Sequence, residues 1–324
     1  PSPWHQQTTR LPGMRRRLVT LVGLLQAAAV LTIAFSVVTL LPADHFALQL
    51  FSHFRLQYLV VSLLLFLVFI ALRRRGYAGA LLLVCLLNGS FIFPWYFDTQ
   101  EREKGTDLTL LLANVLSSNT HYERLFDLLD EEDPDAIVLL EVSPDWLVEL
   151  DALRSDYPYS YAEARDGNFG IALFSRLPIT SADHVDSPPF GYPTIFASLK
   201  IGNDSLHLVA THPMIPVNKK FFEARNEQLQ SLPALLQKTA GTTVLIGDLN
   251  TGMWEPSYRA LEEATGLRNS RRGFGILPTW PTFMPFAMIP IDHVLVSKEI
   301  GVKSVHTGRR IGSDHLPLIV TLVL

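Results

Sequence analysis

Three uncharged apolar stretches dominate the first hundred residues and restrict the possible folds of this chain more than any other feature. They are Leu18–Leu41, Leu56–Leu72 and Tyr77–Phe97, with 24, 17 and 21 residues. A helix needs about 20 apolar residues to cross the hydrocarbon core of a bilayer. A cleaved signal peptide explains only the first stretch, and a buried helical hairpin in a soluble domain seldom runs this long without a charge. We therefore predict a three-helix transmembrane region over residues 18–97.

The placement of arginines predicts how this region is oriented. Arg15–Arg17 precede the first stretch and Arg73–Arg75 fill the turn between the second and the third, whereas the loop after the first stretch carries only Arg55 and Asp44. Under the positive-inside rule both triplets are cytoplasmic. Three spans then place everything after Phe97 on the extracytoplasmic side of the membrane.

Charge divides the chain at the same point. The protein has 27 Lys+Arg and 31 Asp+Glu. Residues 1–97 hold eight Arg, no Lys and one acid, a local charge of +7, so residues 98–324 hold 19 basic and 30 acidic residues, or −11. This asymmetry indicates two regions in different surroundings, and an acidic larger region disfavours nucleic-acid binding through bulk positive charge. Residues 1–17 are predicted to be a disordered cytoplasmic N-terminus. One cysteine, Cys85, excludes an internal disulfide and a zinc site built from cysteines.

Short β-type segments alternate with helical ones from residue 98 onwards, which predicts one α/β domain over residues 98–324. The predicted strands are Leu108–Asn114, Ala136–Glu141, Gly170–Ser175, Ile195–Ile201, Ser205–Thr211, Thr243–Gly247, His293–Ser297 and Leu318–Leu324. The predicted helices are Thr120–Glu131, Pro144–Leu150, Asn218–Gln237 and Glu255–Thr265.

Several of these strands end abruptly in polar side chains. Strand ends in layered α/β folds are where such side chains converge without filling the core. Carboxylate and amide oxygens are the ligands that Mg²⁺ or Mn²⁺ prefers. The sequence therefore predicts a site for a hard cation and a phosphate at these ends. Its candidate residues are Asn114, Glu141, His212, Asp248, Asn250, Asp292, Asp314 and His315.

Taken in order, these motifs resemble the endonuclease/exonuclease/phosphatase superfamily, the deoxyribonuclease I-like enzymes. The resemblance runs from Leu108 to the C-terminus and includes the segment 170–178, which is similar to the family's strand leading into Ser-Arg-x-Pro. It implies a four-layered α/β sandwich, in which two β-sheets pack face to face with helices outside. It also implies a metal-dependent phosphoric ester hydrolase with Mg²⁺ or Mn²⁺ as cofactor.

The resemblance further implies a role for each motif residue. Glu141 matches the principal metal-ligating carboxylate, and Asn114 matches its neighbour in the metal and water network. Asp248 matches the residue that orients or deprotonates the attacking water, while Asn250 holds a phosphate oxygen. In a phosphate ester hydrolase, these groups position the nucleophile and neutralise the non-bridging oxygens.

The remaining motif residues are the two histidines and their partners. By resemblance, Asp292 fixes the ring of His315, which contacts the scissile phosphate, and Asp314 adds to a second metal position. His212 matches a branch in which a histidine donates a hydrogen bond or proton towards the phosphate. An imidazole held by a carboxylate keeps one tautomer and can remain cationic, which suits His315 as an electrostatic clamp.

Substrate contacts are less sharply defined. Arg176 either forms a structural ion pair, which we favour, or binds the phosphate. The apolar segment 273–290, with Trp280 and Phe283, either caps the sheet or forms a rim that grips a lipid tail or rests on the bilayer. His293, whose side chain points away from that of Asp292 in a strand, is predicted to be structural. Arg225, on a predicted helix, is also predicted to be structural.

The order of the two regions limits the range of functions that we expect. Three spans followed by an exported phosphoesterase domain resemble the membrane-anchored bacterial branch of the superfamily, proteins linked to glycopeptide resistance and thought to act on envelope lipid phosphates. We therefore expect hydrolysis of a phosphate or pyrophosphate ester of an envelope lipid, in the inner or plasma membrane, with the bilayer as partner and no obligate protein partner. An anchored nuclease is disfavoured by the acidic domain. A non-catalytic scaffold is disfavoured by the complete set of catalytic side chains.

Overall fold

A computed structural model describes residues 20–40, 46–97, 105–237 and 241–324. The predicted N-terminus, residues 1–17, and the predicted domain boundary at residue 98 lie outside these ranges. The helices described in the N-terminal region are α1 (Leu21–Val38), α2 (Phe46–Leu50), α3 (Arg55–Ala71), α4 (Arg75–Ile92) and α5 (Pro94–Phe97), with a 3-10 turn over Phe51–Phe54.

Three of the described helical segments are long and apolar enough to cross a membrane. They are Leu21–Val38, Leu48–Ala71 and Arg75–Ile92, with mean hydropathies of 2.3, 2.2 and 1.4. The three predicted spans are thus confirmed as candidates by length and composition. The second begins earlier than predicted, because the helical run continues back through the 3-10 turn. The third ends earlier, because Pro94 has no N–H with which to continue α4.

Polar side chains within this region pair with one another across helices. The Asn88 side-chain amide donates through Nδ2 to Ser36 Oγ at 3.1 Å, and this hydrogen bond joins α4 to α1. Ser62 Oγ and Cys85 Sγ are 3.1 Å apart between α3 and α4. Buried polar groups in an apolar layer need such partners, so these contacts fix how the three helices pack.

The rest of the described chain is a mixed α/β domain. Its helices are α6 (Tyr122–Glu132), α7 (Pro144–Glu149), α8 (Lys219–Leu236) and α9 (Pro256–Thr265). Its strands are β1 (Asp107–Asn114), β2 (Ala136–Leu140), β3 (Tyr159–Glu163), β4 (Ile171–Ser175), β5 (Ile179–Ser187), β6 (Tyr192–Ile201), β7 (Asp204–Thr211), β8 (Thr243–Asp248), β9 (Arg268–Asn269), β10 (Asp292–Val296), β11 (Gly301–Thr307) and β12 (Leu318–Val323). All four predicted helices and all eight predicted strands are present, with ends shifted by up to three residues.

The strands form two six-stranded sheets, in the orders β11-β12-β1-β2-β4-β3 and β5-β6-β7-β8-β10-β9. Strands β1 and β2 are parallel, as are β7 and β8, and their other neighbours are antiparallel. The four strands missing from the prediction are β3, β5, β9 and β11. Each lies at the edge of a sheet, where polar side chains are tolerated and the alternation of apolar residues is weak.

Apolar side chains on both faces of the central strands explain why the sheets are stacked between helices. Val138 and Leu140 of β2 face the core between the two sheets, which also contains Ile246 of β8. Ile137 and Leu139 face the opposite way, into a core with α6 and α7. A third core lies between the second sheet and the helices α8 and α9. The layers are therefore helices, sheet, sheet, helices, which confirms the predicted four-layered sandwich.

The N-terminal region packs against the α8 and α9 layer. Ile92 and Trp95 share an apolar cluster with side chains of both helices. The Trp95 carbonyl accepts hydrogen bonds from the backbone N–H groups of Gly273 and Gly275, both at 2.9 Å. A Cβ at Gly275 would lie 2.7 Å from the Tyr96 ring, so only glycine permits this close approach. These contacts fix the domain against one end of the helical region.

Candidate active site

Five predicted site residues lie at strand ends that the two sheets bring to one edge of the sandwich. Asn114 ends β1 and Glu141 follows β2, while His212 follows β7 and Asp248 ends β8. Asp292 begins β10, which is antiparallel to β8, and it pairs in register with Asp248. The site is therefore assembled from both sheets, as the strand-end pattern predicts.

Glu141 is a buried carboxylate whose two hydrogen-bond donors among the described residues are neutral. Its backbone is left-handed, with φ of 62°, a conformation that costs energy for a residue with a Cβ. Glu141 Oε1 accepts a hydrogen bond from Asn114 Nδ2 at 3.0 Å, and Oε2 accepts one from the Ser117 N–H at 3.2 Å. Burial raises the pKa of Glu141, and these hydrogen bonds only partly oppose it. In the described ranges no cationic side chain lies within 4 Å of this carboxylate, so it is chemically suited to a bound cation.

Asp248, Asp292 and His315 form a buried triad. His315 Nδ1 lies 2.9 Å from Asp292 Oδ2, and His315 Nε2 lies 3.6 Å from Asp248 Oδ2. Burial alone would lower the pKa of His315, but the charges of Asp292 and Asp248 raise it to about 10. His315 is therefore cationic at neutral pH and stabilises the charge of Asp292, whose pKa is lowered despite burial. Burial and the charge of Asp292 raise the pKa of Asp248.

His212 follows β7, the neighbour of β8 on the side opposite β10, and its ring faces the Asp248 carboxylate. Its Nε2 lies 3.5 Å from Asp248 Oδ2 and, within the described part of the chain, makes no hydrogen bond. Burial and then the charge of His315 lower the pKa of His212 to about 3, so its ring is neutral. A neutral imidazole with a free N–H can donate to a phosphate oxygen.

The turn after β8 places Asn250 beside Asp248. Asp248 Oδ1 accepts a hydrogen bond from the Asn250 N–H at 2.9 Å, and Asn250 has a left-handed backbone with φ of 50°. The Asn250 side-chain amide donates through Nδ2 to the Pro213 carbonyl at 3.0 Å. This bond fixes the side chain to the residue that follows His212 in the chain. The turn is therefore held from both sides.

One cavity of about 310 Å³ is lined by four of these groups, Glu141, Asp248, Asn250 and His315. Three of its lining residues, Leu50, His53 and Phe54, come from the N-terminal helical region. The cavity thus combines charged groups with apolar walls and lies against the candidate spans. The remaining lining residues are Leu116, Asn168, Ile215, Pro216, Val217, Trp280, Ile289, Ile291 and Asp314.

The three predicted substrate contacts have different positions. Trp280 lines the cavity, and its Nε1 donates to Asp314 Oδ2 at 2.8 Å. Phe283 follows Trp280 in the chain but is not among the lining residues, and its side chain is 69% exposed. The structure does not bring Arg176 to the site, because it pairs with Asp133 at 2.5 Å and stacks over the ring of Tyr157. That position corrects its assignment as a substrate contact and agrees with the structural ion pair that we favoured.

The two residues predicted to be structural are fully buried. His293 lies between Asn269 and Thr251, with its Nε2 2.8 Å from the Thr251 carbonyl. Arg225 pairs with Glu255 and donates to the Asn250 carbonyl at 2.6 Å. Both side chains therefore contact backbone carbonyls of the turn after β8 and help to hold it in place.

Sequence patterns did not identify four residues that shape the site. Asn168 lines the cavity and accepts a hydrogen bond from Ser117 Oγ at 2.9 Å. Leu50, His53 and Phe54 belong to residues 42–55, which the sequence predicts to be the loop between the first two spans.

A family model decides the relationship of the chain to known proteins. The model of the Endonuclease/Exonuclease/phosphatase family matches residues 111–315. The chain belongs to this family. Its members are metal-dependent phosphoesterases, so the protein is a metal-dependent phosphoric ester hydrolase, as predicted. No curated protein matches the sequence.

Solved structures share the same fold at low sequence identity. D. rerio TDP2, complexed with a single-strand DNA product, is 17% identical with a TM-score of 0.59, and the match covers 68% of this chain and 100% of that one. A family protein from Bacteroides thetaiotaomicron is 21% identical with a TM-score of 0.55, covering 68% and 99%. Sphingomyelinase C from Streptomyces griseocarneus is 17% identical with a TM-score of 0.52, covering 67% and 99%. These likenesses show the fold.

A divalent cation fits the donor set. Asp248, Asp292 and His315 have potential ligand atoms within 4.8 Å of one another. Both ring nitrogens of His315 already face carboxylates, however, with Nδ1 2.9 Å from Asp292 and Nε2 3.6 Å from Asp248. Glu141 offers ionisable oxygens without a cationic partner among the described residues, which makes it the better-suited ligand.

Proposed function

We propose that this protein hydrolyses a phosphate or pyrophosphate ester of an envelope lipid, with Mg²⁺ or Mn²⁺ as cofactor. The observation that carries the proposal is the composition of the cavity. Asp248 and His315 share it with Leu50 and Phe54, which belong to the helical region predicted to lie in the membrane. A lipid headgroup can then meet the polar groups while its chain stays against apolar side chains.

The chemistry follows from the charges of the site. Glu141, with Asn114 and Asp314, would hold the cation, which when bound lowers the pKa of water and neutralises phosphate charge. Asp248 orients or deprotonates the attacking water. The cationic ring of His315, held by Asp292, stabilises the charge that develops on the phosphate.

Two further side chains contact the phosphate in this proposal. Asn250 holds one of its oxygens. His212 is neutral, and in the tautomer with a proton on Nε2, which makes no hydrogen bond to the described residues, it donates a hydrogen bond to another. Neither role needs a covalent intermediate.

Orientation follows from where the Arg73–Arg75 triplet lies. Helix α3 contacts the domain at its beginning, through Gln57, and α4 contacts it near its end, through Phe91. The triplet joins the opposite ends of these helices. Positive residues favour the cytoplasm, which supports an extracytoplasmic domain.

A reporter enzyme fused after Leu324 is expected to be active only outside the cytoplasm. Alkaline phosphatase, which requires export, and a cytoplasmic fluorescent protein give opposite signals, so the pair measures the side directly. Fluorescence without phosphatase activity would contradict this topology.

Exposed apolar residues in the segments that line the cavity support contact with the bilayer: Val217 is one of its lining residues, and residues 281–288 lie between the lining residues Trp280 and Ile289. Val217 and Phe286 are 70% and 79% exposed, and Phe283 lies in the same segment as Phe286. Exposed apolar side chains in segments that also line a cavity are typical of a binding surface. We propose that this rim rests on the membrane.

The variant Phe286→Asp is expected to lower the turnover of a lipid phosphate in vesicles about tenfold or more. Withdrawing one phenylalanine from the bilayer costs roughly 1.5–3 kcal/mol. The matched control is Val148→Asp, because Val148 is 73% exposed on α7, in the layer outside the other sheet. Equal turnover by the two variants would contradict the rim's role.

A substrate panel tests the proposal as a whole. Purified full-length protein in detergent with Mg²⁺ is offered a polyprenyl pyrophosphate, phospholipids, sphingomyelin, and single- and double-stranded DNA. We expect phosphate or headgroup release from a lipid and no release by Asp248→Ala. DNA cleavage without lipid turnover would support the anchored nuclease instead, and no turnover of any substrate would support the scaffold.

A further inference from the structure

A buried polar network joins the membrane region to the loop after β8. His53 Nε2, in the 3-10 turn, lies 2.6 Å from Glu255 Oε2, and both side chains are almost fully buried. Thr251 Oγ1 donates to the same carboxylate at 2.9 Å, and Arg225 pairs with it through both terminal nitrogens. One carboxylate thus binds the N-terminal region, α8 and the loop together.

The network continues to the active site. The Arg225 Nη1 group donates to the Asn250 carbonyl at 2.6 Å, and the Asn250 N–H donates to Asp248 Oδ1 at 2.9 Å. An unbroken series of contacts therefore leads from His53 through Glu255 to Asp248. Asn250 has a left-handed backbone, an uncommon conformation for a residue with a side chain, which restraints from its surroundings help to keep in place. The Arg225 contact to its carbonyl is one of those restraints.

The charge of Glu255 makes the network depend on each donor. Burial would raise the pKa of Glu255, but the charge of Arg225 and the hydrogen bond from His53 lower it to about 2. An ionised buried carboxylate requires its donors, so the loss of one shifts the others. The ring of His53 also packs on the loop itself, because a Cβ at Gly252 would lie 3.2 Å from its Cδ2.

We propose that His53 is a positioning residue of the phosphoesterase, which holds the turn from Asp248 to Asn250 through Glu255 and Arg225. The membrane region is then part of the catalytic centre as well as its anchor. This inference rests on the catalytic roles proposed above for Asp248 and Asn250. It does not depend on the lipid nature of the substrate.

The first test measures kcat and KM on a soluble probe, bis(4-nitrophenyl) phosphate, with full-length protein in detergent and Mg²⁺. We expect His53→Ala to lower kcat about tenfold with KM changed less than about twofold. His53→Gln is expected to recover most of kcat, because its amide N–H can donate to Glu255. A KM rise with unchanged kcat would show that His53 only contacts substrate and would overturn the inference.

The matched control is Gln57→Ala. Gln57 Nε2 also crosses from the membrane region to the domain, where it donates to the Met288 carbonyl at 2.8 Å. This contact leads to the loop before β10 instead of the Asp248 turn. We expect its kcat to stay within about twofold of the unmodified protein. An equal loss in both variants would mean that docking in general, and not His53, is responsible.

Hydrogen exchange tests the same inference without any turnover. The backbone N–H of Asn250 is expected to exchange about tenfold faster in His53→Ala than in Gln57→Ala, because the turn that holds it against its acceptor Asp248 is less well fixed. Unchanged exchange would overturn the inference even if His53→Ala were inactive or the probe were not hydrolysed. If only the lipid proposal fails, the result is different. Asn250 still exchanges faster in His53→Ala than in Gln57→Ala, while the unmodified protein hydrolyses no lipid.

Discussion

Replacing Asp248 with asparagine is expected to lower kcat/KM about a thousandfold, the range expected for losing a positioned general base. The amide keeps an oxygen that can accept the Asn250 N–H, so the turn after β8 stays in place. It cannot take a proton from water, and it removes one of the charges that hold the cationic ring of His315. The loss is therefore expected in kcat with little loss of the fold.

Initial rates with Mg²⁺ and thermal unfolding followed by circular dichroism measure the two effects separately. The control is Asp135→Asn, because Asp135 Oδ2 accepts the Thr109 N–H at 2.7 Å near the start of β2, away from the cavity. Its rate is expected to stay within about twofold. Full activity of Asp248→Asn would show that water activation lies elsewhere.

Replacing Glu141 with glutamine is expected to abolish the response to metal and to lower turnover by about a hundredfold to a thousandfold. Glu141 is buried with two neutral donors and, among the described residues, no cationic partner within 4 Å. Without metal, the neutral amide removes a buried charge but can accept only one of the two hydrogen bonds, so the melting temperature is expected to change little. A ligand that binds only the native state raises the melting temperature, and this variant is expected to lose that increase.

Thermal unfolding with and without Mg²⁺ or Mn²⁺ measures the effect independently of any substrate. Glu262→Gln is the matched control. Glu262, on α9, is also a largely buried carboxylate with a raised pKa, but it has a cationic partner, Arg272. The control is expected to retain the stabilisation by metal. An identical metal-induced increase in Glu141→Gln would exclude Glu141 as a ligand.

The central fold could be predicted because its strands are buried on both faces. Strands such as β2 and β8 are continuous apolar runs, and a sheet between two apolar layers imposes that pattern. Edge strands lack it. Strand β5 exposes Asp183 and Asp186 on an outer edge, and β11 exposes Lys303, so their sequences resemble loops.

The site could be predicted where chemistry coincides with a strand end. Glu141 and Asp248 interrupt apolar runs, and an ionisable group there needs a partner. His53 carries no such signal, because its partner Glu255 lies 202 positions away and their contact depends on how the helices pack on the domain. Arg176 follows a motif of the family, yet the nearby Asp133 determines its position.

The dependence of turnover on lipid chain length tests the central claim most directly. Hydrolysis of a polyprenyl pyrophosphate is compared with that of a short-chain analogue bearing the same headgroup, by full-length protein under the same detergent and Mg²⁺ conditions. A cavity walled by Leu50 and Phe54 predicts a kcat/KM at least about a hundredfold higher for the long chain, since each buried CH₂ contributes about 0.8 kcal/mol. Equal kcat/KM for the two chain lengths, or cleavage of DNA alone, would contradict the claim.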